Sequence, residues 1–293
     1  MKLRHLRSAR ASARSFLLTF LSPLMALMAA STGYAQLLSP QISSHDPLAT
    51  LSARRPAHLP AQWLISRAEN SRPSELWYSS QNSVLGQRGS FENANWALVP
   101  AIQPLKLQAS FETVREHRYL KDSRSRDRRA TWLYPDDGCF MRASIATSIL
   151  ETDFTLKPAK IFVFGNLSTQ TPNHPYGEVT WWYHVAAITK TLHLDGAGQQ
   201  VEKYHVYDPA IDPLRPLSVE EWVGAMNDPS VQIAICDAEA YDPHSDCLGG
   251  PKSLWRIALD SDSLLENEWH RVRSMGRNPE LELGDEPPWS VAR

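Results

Sequence analysis

Apolar positions fall in two rhythms along this chain. Ala143, Ala146 and Leu150, with Ile145 and Ile149 beside them, recur at the spacing of a helix. Pro135 and Gly138 interrupt regular structure just before them, so the helix is expected to begin at or next to Cys139. Asp136 or Asp137 is then placed to cap it by accepting N–H groups of the first turn. Val179 to Thr189 (VTWWYHVAAIT) is dense in aromatic and β-branched residues and predicts a strand. Tyr204 to Asp208 predicts another, stopped by Pro209. Asp195-Gly196-Ala197-Gly198 lies between them and reads as a turn. Two antiparallel strands folded about residue 196 set His184 opposite Asp208 on one sheet face, with Cβ atoms roughly 5 Å apart. That pairing depends on the register. Leu76-Trp77-Tyr78 and Trp96-Ala97-Leu98-Val99 also suit short strands, and Ser263-Leu264-Leu265-Glu266 is a capping box that predicts a helix running to about Met275. A helix beside an antiparallel sheet makes the expected fold class α+β.

Composition divides the chain. Residues 1–35 read as a secretory signal: Lys2, Arg4, Arg7, Arg10 and Arg14 form a basic start, Phe16 to Ala30 is apolar, and small residues precede a cut expected after Ala35. The alternative is an uncleaved anchor. Removing those five charges takes the formal charge from −2 to −7. The mildly acidic product disfavours nucleic acid or a membrane as its partner and is expected outside the cytoplasm, secreted or periplasmic. Residues 36 to 105 are punctuated by proline, carry no Cys and read as a pro-segment or accessory region, with a flexible spacer as the alternative. Residues 106–275 form the expected catalytic domain. Lys121 to Arg129 (KDSRSRDRR) is a charged run expected as a solvated loop, with a protease-sensitive site as the second reading, and residues 276–293 are expected as a loose tail.

Three cysteines remain after the signal: Cys139, Cys236 and Cys247. In an oxidising compartment two should pair, and Cys236 with Cys247 closes a short loop. Cys139 is then an odd free thiol; the alternative is three reduced thiols. A helix N-terminus favours an anion, which suits a thiolate nucleophile. His184 and Asp208 supply what a thiol enzyme needs beside it, a base and a carboxylate that orients it. No CxxC or HxxxH spacing suggests a metal site, and no cofactor is expected.

Four pieces in this order resemble the bacterial secreted protein-glutaminases (protein-glutamine deamidases): YPDDGCFMRA around Cys139, IFVFGNL at Ile161 to Leu167, WWYHVA around His184 and VYDPA around Asp208. The resemblance spans about residues 105–250. It implies a transglutaminase- or papain-like thiol hydrolase core, with Cys139, His184 and Asp208 as a catalytic triad. It also implies glutamine-containing proteins or peptides as substrates and an inhibitory pro-segment. Trp181, Trp182 and Tyr183 are candidates to wall the substrate slot, and Asn166 to orient the site. Ser144 stands where the family pattern has His, and several family cysteines are missing. A transglutaminase, a thiol peptidase and a non-catalytic binding module are the competing readings.

Overall fold

The computed structural model describes residues 80–120, 130–250 and 254–283. The expected signal, residues 36–79, the 121–129 loop and residues 284–293 lie outside the described residues.

The fold is α+β. Four antiparallel strands, β1 (Ala159–Gln170), β2 (Glu178–Leu194), β3 (Gln200–Tyr207) and β4 (Gln232–Cys236), stand in the order β3-β2-β1-β4. β1 and β2 each bury long runs without alternation, the mark of strands covered on both faces. One face carries the helix α2 (Cys139–Phe154). Its Met141, Ile145, Ile149 and Leu150 pack with Ala187 and Tyr207, while Cys139 and Ala143 join Phe162, Val185 and Ala234. On the other face Ile161, Val163, Ala186 and Ile188 pack on Trp222 and Met226. Trp222 belongs to the short helix α3 (Val219–Gly224), which opens with a complete Ser218/Glu221 capping box. Each large side chain so buried stabilises the fold by about 1.5–3 kcal/mol.

Several expectations are corrected. The β2–β3 register runs from Ala187 opposite Tyr207 to Leu194 opposite Gln200, so His184 and Asp208 are not directly opposed. The loop is centred one residue later than expected. Such a shift moves the pairing by two positions and so preserves which face each side chain takes. Trp96–Leu98 is a 3-10 turn, not a strand. Residues 80–103, whose composition set them apart, are bound into the domain: Ser83 bridges Asp246, Gly89 bridges Ile233 of β4, and Ala101 bridges Lys190 of β2. They run on into α1 (Pro104–Glu116), with Pro at its first turn. The capping-box stretch Ser263–Glu266 lies inside the helix α4 (Leu254–Ser274), which starts earlier than its sequence signal. The expected loose tail begins with the short helix α5 (Pro279–Leu283), held by buried Pro279 and Leu283.

Cys236 at the end of β4 is joined to Cys247, 11 residues on, by a disulfide, and Cys139 is free. Replacing both bridged cysteines by Ala is expected to lower the unfolding free energy by roughly 2–3 kcal/mol, read as a drop in the urea midpoint. A midpoint within error of the wild type would show that the backbone bridges to residues 80–103 hold this corner unaided.

Candidate active site

Gly138 sets where α2 begins. Its backbone is left-handed (φ 79°), which favours glycine, and a Cβ there would force the Leu264 side chain of α4 to move. Its carbonyl accepts from Met141 N–H (3.1 Å) and Arg142 N–H (2.9 Å), which makes Cys139 the first helical residue. The Cys139 N–H is thus one of the first-turn donors that lack a helical acceptor. Neither aspartate caps the helix in the way its position suggested. Asp137 Oδ1 accepts from Gly138 N–H (2.6 Å), and Asp136 is ion-paired with Arg271 of α4. Burial pushes the Asp136 carboxyl up to about 6 against the pull of Arg271.

His184 comes from β2 and Asp208 from just past the end of β3. Their diagonal placement on one face brings His184 Nε2 to 2.7 Å from Asp208 Oδ2. The same oxygen accepts from the Trp222 indole N–H at 2.8 Å. A carboxylate only accepts, so Nε2 carries a proton and Nδ1 is the nitrogen left for chemistry. Nδ1 is buried and, among the described residues, has no hydrogen-bond partner at ordinary distance, with the Cys139 thiol its neighbour. Burial opposes charge on His184, but the Asp208 carboxylate and its hydrogen bond, with Cys139 adding to them, raise the ring to about 9. Burial likewise opposes charge on Asp208, and the His184 cation with the two hydrogen bonds holds it below the ordinary carboxylate range.

The three residues meet in one small cavity of about 20 Å³, room for about one water. Cys139, Arg142, His184 and Asp208 line it, closed by an apolar wall of Val114, Leu120 and Trp132. Trp181 stacks on His184 with ring centroids 4.7 Å apart and donates its indole N–H to Asp136 O (3.2 Å). Burial, then Cys139 and Asp137, hold the Tyr183 phenol protonated, and Trp182 packs edge-on against that ring. Asn166 is elsewhere. It sits exposed where the β1–β2 register shifts between Phe164 and Leu167, its N–H bonded to Asp228. Sequence reasoning missed Trp222 and Arg142. The Ser218–Glu221 box could have located α3, and Arg142, one turn after Cys139, lies within the Cys motif itself.

The two pKa directions give a pH signature. His184, raised above its ordinary 6.5, contributes stability that is fully present below about pH 6.5 and lost as pH rises through about 9. Relative to a His184→Gln variant, the wild type is expected to lose on the order of 2–3 kcal/mol across that window. Asp208, depressed, contributes stability above the ordinary carboxylate value that is lost as pH falls through its folded value. Thermal melts of both proteins from pH 6 to 10 check this; a gap that stays constant would mean that the ring is neutral throughout.

Residues 107–226, which contain all three side chains, match the family described as Glutaminase. No curated protein matches the chain. Among solved structures, the chain is similar to the NMR structure of protein-glutaminase from Chryseobacterium proteolyticum. The two are 23% identical with a TM-score of 0.43, over 55% of this chain and 84% of that one. A crystal structure of protein-glutaminase is 22% identical (TM-score 0.42; 55% and 91% covered). One of pro-protein-glutaminase is 22% identical (TM-score 0.41; 56% and 60% covered). The family match lies over the motifs read from the sequence and contains Cys139, His184 and Asp208.

Proposed function

We propose that this protein hydrolyses the side-chain amide of glutamine in proteins or peptides, giving glutamate and ammonia through a thioester on Cys139. One observation carries the reading: a free thiol at a helix start shares a cavity with a histidine whose Nε2 is fixed by Asp208 and whose Nδ1 is unspent. With Nε2–H held by Asp208, the proton taken from the Cys139 thiol resides on Nδ1. The thiolate forms a C–S bond to the carboxamide carbon as the carbonyl electron pair moves to oxygen. The Cys139 N–H donates to that oxyanion. Collapse expels the amine, which takes the Nδ1 proton and leaves as ammonia. Water then gives a proton to Nδ1 and its oxygen to the carbon, breaking the C–S bond. Trp181, stacked on His184, shields the imidazole from solvent. The cavity is too small for a glutamine side chain, so substrate entry displaces part of the apolar wall, which bears none of the three reacting groups.

The reading extends to export by residues 1–35 and to inhibition by a pro-segment in residues 36–79. Residues 80–103 stay with the catalytic domain, since they pair with β2 and β4. Release by cleavage before Ser80 is therefore expected. A trypsin-like nick in protein lacking residues 1–35 should raise ammonia release, and equal rates before and after removal of the segment would make it a spacer.

Ammonia release from casein, without cross-linked product or chain cleavage, separates deamidation from transglutamination, peptidase action and mere binding. Cys139→Ala and His184→Ala are each expected to abolish it with the fold intact, and Asp208→Asn to leave a small residue. Wild-type ammonia release from Cys139→Ala would overturn the catalytic reading.

A further inference from the structure

Arg142 is a buried cation in the cavity wall with an unspent donor. It lies one turn along α2 from Cys139, is 8% exposed and lines the same cavity as the three reacting groups. Its Nη1 donates to Tyr134 O (3.3 Å) and Thr131 O (3.5 Å). That nitrogen lies 3.4 Å from where a Gly138 Cβ would stand, so the guanidinium rests against the residue preceding the nucleophile. Nη2 is buried and, among the described residues, has no hydrogen-bond partner. Among the described residues no carboxylate is in ion-pair contact with Arg142, although Asp136, Asp137 and Asp208 lie near enough to feel its charge. A buried guanidinium N–H left without an acceptor is costly unless a ligand supplies one.

Three other side-chain donors of the cavity wall are taken, and the protonated Tyr183 phenol already meets the Cys139 sulfur. The Tyr207 hydroxyl is engaged with Ser110 (2.8 Å), the Trp132 indole N–H donates to Arg115 O (3.3 Å), and His184 Nε2 is bonded to Asp208. Against this background the chemistry lacks something. An oxyanion formed by attack on an amide accepts two or more hydrogen bonds, and the Cys139 N–H gives one.

We propose that Arg142 Nη2 is the second donor to the carbonyl oxygen of the amide that Cys139 attacks. The inference rests on the thiol amidase reading above and adds a residue to it. As the C–S bond forms, the carbonyl electron pair moves to the oxygen, where the guanidinium meets it. No proton is transferred from Arg142. After hydrolysis the same group faces the new carboxylate, so anionic ligands are favoured at the thiol.

The test reads the charge at the thiol apart from the hydrolysis. Iodoacetate carries an anionic oxygen two bonds from the carbon under attack, whereas iodoacetamide of the same size is neutral. The ratio of their alkylation rates at Cys139 is measured in wild type, Arg142→Gln and Arg142→Lys, each first shown to melt cooperatively. Arg142→Gln is expected to lower the iodoacetate-to-iodoacetamide ratio about tenfold and kcat for ammonia release roughly 100-fold or more, with KM moving far less. Arg142→Lys keeps the charge and should hold the ratio within about threefold of wild type. A folded Arg142→Gln with the wild-type ratio overturns the proposal. Should that variant fail to fold, a folded Arg142→Lys whose ratio falls to that of a cysteine in a short peptide overturns it equally. If the ratio responds as expected but wild type releases no ammonia from glutamine, the amidase reading fails and the anion-facing donor stands. If ammonia is released but the ratio ignores Arg142, the donor assignment alone fails.

Discussion

A carboxylate buried as deeply as Asp208 survives only if its lone pairs are occupied, and the way they are occupied ties the site together. Oδ2 takes the His184 ring from β2 and the Trp222 indole from α3, while Oδ1 accepts weakly from Ala210 N–H at 3.3 Å. One atom therefore links the sheet, the helix covering its far face and the turn beyond β3. It fixes the tautomer of the imidazole, and the aromatic rings of Trp181 and Trp222 bracket that imidazole so that it keeps one orientation. Losing either donor would leave an anion in an apolar setting, which is far more costly than the hydrogen bond itself.

The thiol arrives from the opposite side of the sheet. Cys139 and Ala143 pack with Val185, on the face away from Trp222, whereas Val163, the partner of His184 in the ladder, belongs to the Trp222 face. The two halves of the site can meet because β3 stops at Tyr207, opposite Ala187, so that among the described residues β2 has no strand partner on this side beyond that point. An ordinary full-length strand there would have filled the gap with backbone. Pro209, which cannot donate a ladder hydrogen bond, is the covalent reason for the stop.

Much of this was legible in the sequence, for reasons that differ by residue. Gly138 and the apolar period after it locate the helix start because both are local effects. His184 and Asp208 could be placed on one face because strand alternation has a period of two, and an error of two positions in pairing leaves that parity intact. The diagonal contact itself was not legible, since it depends on where the turn tightens. Trp222 and Arg271 were out of reach for another reason. They act on Asp208 and Asp136 from 14 and 135 positions away, and no local rule announces a partner so remote. Trp96–Leu98 suited a strand by composition but forms a turn whose side chains pack against Tyr204 and neighbouring core residues. Ser144, a departure from the family pattern, accepts a 2.7 Å hydrogen bond from the buried Lys160 ammonium, which also donates to Ala240 O. A histidine in its place would have to share that space with a cation.

The loop that presents the nucleophile is held by the far end of the chain. Arg271 grips Asp136, Leu264 fills the space above Gly138, and Glu282 accepts from the Tyr134 hydroxyl while pairing with Arg277. Protein synthesis runs from the other end. A nascent chain already holding Cys139, His184 and Asp208 still lacks the residues that set the loop in place, and gains them only when Leu264, Arg271 and Glu282 emerge. The order of synthesis thus defers assembly of the loop that presents the thiol until residues well past the three reacting groups have been made.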